Sequence, residues 1–100
     1  MTEEQKIYLD FENARQTAGR LEEMAISLNA VSAGPLGDSL AMVSKSWEGK
    51  NCSCFVEKGN VLFDDLQSAA EVLVQTAAGL RTAAENMLRA ELAALECCRR

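Results

Sequence analysis

The chain has no histidine, one proline, one tryptophan and five aromatic residues in 100. Without histidine it lacks the commonest general base, the commonest metal ligand and every Ser/His or Cys/His nucleophile pair. No glycine-rich phosphate loop is present either. No enzymatic activity and no cofactor are expected. The shortage of aromatics, together with abundant Ala and Leu, starves strands and favours helices. No run of about 18 apolar residues occurs, so no membrane-spanning segment is expected. The acidic opening "MTEEQKIYLDFENARQ" has no apolar core, which predicts no ordinary secretory signal peptide. A net charge of −5 argues against nucleic acid as a partner, because phosphate contacts need a basic face.

What is present is helical periodicity. Thr2 followed three residues later by Gln5 reads as a capping box. Apolar or small residues then recur at Ile7, Phe11, Ala14, Ala18, Leu21, Ala25 and Leu28, alternating four and three, the pattern of a helix with one buried stripe. "SAGPLGD", residues 32–38, is expected to interrupt this helix as a kink or short loop, with Pro35 near the first position of the resumed helix. The stripe resumes at Leu36, Leu40, Val43 and Trp47 with its phase slipped by one residue.

A second series holds the heptad spacing for about six repeats: Phe55, Gly59, Leu62, Leu66, Ala69, Leu73, Thr76, Leu80, Ala83, Met87, Ala90, Ala94 and Cys97. A parallel row, Phe63, Ala70, Ala77, Ala84, Leu88 and Leu95, widens it. Asn51 or Ser53 is expected to cap this helix, and Gly59 and Gly79 to allow close approach of a neighbour. The reading is an all-α chain: helix 1 over about 3–46 with a break near 32–37, a turn at 47–50, and helix 2 over about 51–98. Its hairpin or dimer core is expected to contain Phe11, Leu21, Leu28, Leu40, Phe55, Leu62, Leu66, Leu73, Leu80 and Met87. Gly49 is expected to end the first helix, with Trp47 folding back over the junction.

The motif Trp47-Glu48-Gly49 at the centre of a hundred-residue helical chain, with Phe55 following early in the second helix, resembles the WXG family. These are the early-secreted-antigen-type proteins of type VII (ESX) secretion in Gram-positive bacteria. The resemblance implies an antiparallel helix-turn-helix hairpin that pairs into a four-helix bundle. It also implies export by a membrane ATPase machine without a signal peptide. The implied partners are a second copy, a paralogous chain of this type, or the helical N-terminal domain of a larger toxin. In the last case the chain is an intracellular adaptor rather than an exported effector. A third reading is an unrelated structural hairpin. The family's C-terminal Tyr-x-x-x-Asp/Glu signal is absent from the second helix, where a looser related pattern falls on Met87, Glu91, Ala94 and Cys98.

Four cysteines form two close pairs, Cys52/Cys54 and Cys97/Cys98. They read first as small apolar side chains, and their spacing is not a familiar zinc pattern. The ends of a helix over 51–98 lie roughly 70 Å apart, too far for a disulfide within one chain. In the antiparallel dimer that the resemblance implies, Cys52 or Cys54 approaches Cys97 or Cys98 of the mate, so intersubunit disulfides are expected under oxidation.

Overall fold

The computed structural model describes residues 1–46 and 49–99. It is all helical, consistent with a helical hairpin: α1 (Glu3–Val31), a π-helical turn (Ser32–Leu36), α2 (Gly37–Ser46) and α3 (Lys50–Arg99). Among the described residues no helix is long and apolar enough to cross a membrane. The capping box forms, with the Thr2 amide donating to Gln5 Oε1 at 2.9 Å and the Gln5 amide to Thr2 Oγ1 at 3.1 Å. Two otherwise free donors of the first turn are thereby satisfied.

The helices group into two compact units, one of Met1–Glu22 with Val74–Arg100, the other of Glu23–Leu73. In the first, α1 and α3 run antiparallel. Glu4 pairs with Arg99 at 3.2 Å, and Glu22 accepts from Arg81, whose Nε lies 2.9 Å from Oε1. Eighteen residues separate the two acids on α1 and the two arginines on α3, five whole turns on each helix. Both pairs therefore lie on one flank of the seam, with no slip between them. Their side chains are 40–57% exposed, so each contributes at most about 1 kcal/mol. They mark the register more than they hold it.

The seam between them is built from small side chains. Ala18, Ala77 and Ala84 are buried in this unit with Ile7, while Phe11, Leu21, Leu80 and Leu88 are half-buried. On α3 the structure divides the residues expected in the hairpin or dimer core. Of the two heptad rows, Ala70, Ala77 and Ala84 turn inward, sharing the interior with Leu66, Leu73 and Leu80. Phe55, Leu62 and Met87 stand outside the hairpin core, 52%, 50% and 58% exposed. Members of the two rows lie three and four residues apart, side by side on one helix face, and the short side chains of the alanine row let the backbones approach.

In the second unit, the break expected near 32–37 is not a loop. The chain stays helical through Pro35 as a π-turn in which the Gly37 amide reaches back five residues to the Ser32 carbonyl. Pro35 has no amide to donate, and its ring clashes with the preceding turn of a regular α-helix. The wider turn accommodates it and absorbs one extra residue. That residue is the phase slip in the sequence, so Leu28, Ser32, Leu36, Leu40 and Val43 all stay on the inner side. Ser32 is fully buried and donates to the Asn29 carbonyl at 3.1 Å, which satisfies its hydroxyl.

Leu40 is the large side chain buried here, and it lies against Gly59 of α3. A Cβ at Gly59 would fall 2.2 Å from Leu40 Cδ2 and 3.2 Å from Cγ, whereas one at Gly79 would meet nothing within 4 Å. Close approach is therefore real for Gly59 and has no counterpart for Gly79 among the described residues. Gly79→Ala is expected to stabilise by about 0.5–1 kcal/mol through helix propensity. Gly59→Ala gains the same term but displaces Leu40, and overpacking of about 1–3 kcal/mol makes it net destabilising. Urea unfolding of the two variants at equal protein concentration checks the opposite signs.

Candidate interaction surface

Two features were expected to carry function, the central turn and the C-terminal part of α3. At the turn, Trp47 and Glu48 lie outside the described residues. Gly49 has φ +119°, a backbone region that side-chain-bearing residues rarely adopt. Lys50 then opens α3. Ser53 does not act as the expected N-cap, and Asn51 already lies inside the helix. The Ser53 hydroxyl donates to the Gly49 carbonyl at 3.3 Å, beside the Ser53 amide bond to the same oxygen at 3.1 Å. Gly49→Ala forces a Cβ into this conformation and is expected to cost about 1–3 kcal/mol. Thermal melts of that variant beside Lys50→Ala, which alters no special dihedral, check it.

Cys52 sits just after the turn, buried, with its thiol 3.7 Å from the Val43 carbonyl. Cys54, Cys97 and Cys98 are exposed, and all four are free thiols. Cys52 is thus largely covered within its own chain, while Cys54 is exposed. An open hollow of ≈ 640 Å³ borders the turn, with Ser44, Cys52, Val56, Asn60 and Asp64 on its walls. Among the described residues no three His, Cys, Asp or Glu side chains converge as a metal site.

The C-terminal candidates Met87, Glu91, Ala94 and Cys98 are spaced four, three and four and share one face of α3. Met87, Ala94 and Cys98 are exposed and Glu91 is half-buried. Met87 and Glu91 also belong to an apolar groove of ≈ 280 Å³ within the first unit. Ile7, Phe11 and Ala14 of α1 form one wall, and Leu80, Ala83 and Met87 of α3 the other. Among the described residues Asp10 and Glu91, one from each helix, are the charged ones that line it. The volume lies below the roughly 300–1,000 Å³ of small-molecule sites and suits a few side chains of a third helix.

The opposite flank of the same seam is different in character. Glu22 and Arg81 bridge it, Arg15 pairs with Glu12 at 2.8 Å, and the Arg15 guanidinium lies 5.9 Å from the centre of the Phe11 ring. One flank thus carries charge pairs around a polar hollow of ≈ 320 Å³ lined by Phe11, Arg15, Arg81 and Glu85, and the other is apolar. Periodicity alone marked Phe11, Leu80 and Met87, but not Asp10 as a rim residue. The available signal was a carboxylate one position off the buried stripe at Phe11.

No protein-family model matches the chain, and neither a curated protein nor a solved structure gives a significant match.

Proposed function

We propose that the chain is a non-enzymatic protein-interaction module, a WXG-type hairpin that pairs with another helical hairpin into a four-helix bundle. On this reading it leaves the cell as a dimer through a type VII (ESX) secretion system. The observation that carries the pairing is the surface the chain leaves uncovered. Much of the uncovered surface is apolar, including Phe55, Val61, Leu62, Val72 and Met87 of α3. Rows of this kind are covered by neighbouring helices in bundles and mark association sites elsewhere.

Export rests on the resemblance carried by Trp47-Glu48-Gly49 and on the Met87–Cys98 pattern, whose Met87, Ala94 and Cys98 are open to a receptor. Two measurements test the reading separately. Light scattering at micromolar concentration is expected to give an assembly of two or more chains, alone or on addition of a paralogous hairpin. A compact, well-folded monomer in both cases sinks the pairing. Expression in a host with and without a working type VII ATPase is expected to place the protein in the medium only when the ATPase is present. Retention in both hosts removes the export half of the proposal.

A further inference from the structure

We infer that the apolar groove between α1 and α3 in the Met1–Glu22/Val74–Arg100 unit receives an amphipathic helix flanked by Lys or Arg, supplied by a different chain rather than a second copy. The inference rests on the reading of the chain as a protein-interaction module and is independent of export. Its first support is geometric. The groove runs along about two turns of α1, from Ile7 to Ala14, and three turns of α3, from Leu80 to Glu91. That is the footprint of a short helix anchored at i, i+3/i+4 and i+7.

The second support is charge. Asp10 and Glu91 stand on opposite walls, and among the described residues neither is held by an ion pair and no basic residue lines the groove. In this unit Arg81 and Arg99 are committed across the other flank, to Glu22 and Glu4. An incoming helix with Lys or Arg beside its apolar stripe meets both carboxylates, and such complementarity selects partners and speeds encounter. A two-fold dimer through the groove instead sets the acidic rim against its own copy, with net charge −5 facing −5. Like charges so placed select against self-pairing at this site.

The test uses the full chain and two fluorescent helical peptides with the same Leu/Ala stripe, one flanked by Lys and Arg and the other by Glu. Anisotropy is expected to show at least tenfold tighter binding of the basic peptide. Asp10→Lys with Glu91→Lys is expected to reverse the preference. Ala83→Arg, at an exposed position on the groove wall, is expected to abolish binding with an unchanged circular dichroism spectrum. Equal affinity for the two peptides, or binding indifferent to Ala83→Arg in the folded variant, overturns the inference. Self-association that Ala83→Arg abolishes also overturns it, by making a second copy the occupant, yet leaves the interaction-module reading standing. If neither peptide binds and the chain stays monomeric, the inference and that reading fall together.

Discussion

Ala18→Asp is expected to unfold the protein at neutral pH. Ala18 is fully buried where α1 faces α3, and the arginines on the flank of that seam, Arg15 and Arg81, are already paired with Glu12 and Glu22. An uncompensated buried charge costs about 3–5 kcal/mol, a large part of the roughly 5–15 kcal/mol that holds a typical domain together. Burial favours the neutral acid, so the folded-state pKa of the introduced group is raised. Its penalty is therefore smaller below the usual carboxylate range and fully expressed above it. Circular dichroism melts at pH 4 and pH 8 should show the larger loss at pH 8. The same change at Ile26, which is 68% exposed on α1, is expected to alter stability by under about 0.5 kcal/mol. Equal effects at the two positions would remove Ala18 from the interior.

Leu40→Ala is expected to cost about 2–5 kcal/mol, the range for emptying a buried leucine site. Leu40 is the large apolar side chain buried on α2, so the hairpin unit has little with which to refill the space. The informative measurement is the double-mutant cycle with Gly59. With Leu40 truncated, the Cδ2 and Cγ atoms that a new Cβ would strike are gone. Gly59→Ala should then turn from destabilising to stabilising, a coupling of more than about 1 kcal/mol. Additive effects would mean that the leucine side chain does not rest on the glycine.

The architecture is legible in the spacing of apolar residues, and its errors have a common cause. On α1 one stripe exists, and Ile7, Ala18 and Ala25 lie on the buried side where the four-three alternation puts them, as Leu40 does on α2. On α3 two rows compete, and weighing side chains by size favours Phe55, Leu62 and Met87 over Ala70, Ala77 and Ala84. In the structure the alanine row shares the interior with Leu66, Leu73 and Leu80 of the first row, while Phe55, Leu62 and Met87 lie outside it. Size measures what a residue gains by burial; it does not say which neighbour buries it. The small row was the usable signal, because Ala70, Ala77 and Ala84 recur at seven residues as Ala18 and Ala25 do on α1. Asp10 and Glu91 were invisible as a pair, being 81 positions apart on helices whose register only the folded chain reveals. Trp47 and Glu48, on which the family resemblance turns, lie outside the described residues.

The π-turn at Ser32–Leu36 has a consequence for how this chain aligns with any relative. A one-residue insertion into a regular helix rotates everything beyond it by about 100°, which would carry Leu36, Leu40 and Val43 off the inner side. The wide turn confines that rotation to five residues, so α2 keeps its face as though nothing had been added. A homologue one residue shorter here would present the same interior through an unbroken α-helix. Aligned position by position without a gap, the two chains would fall out of phase from Ser32 to the central turn while their folds coincided. The extra residue sits about fifteen positions before Trp47, so a fixed-spacing pattern anchored on the tryptophan would misread the first arm of this chain. The turn therefore separates the length of the chain from the geometry it encodes.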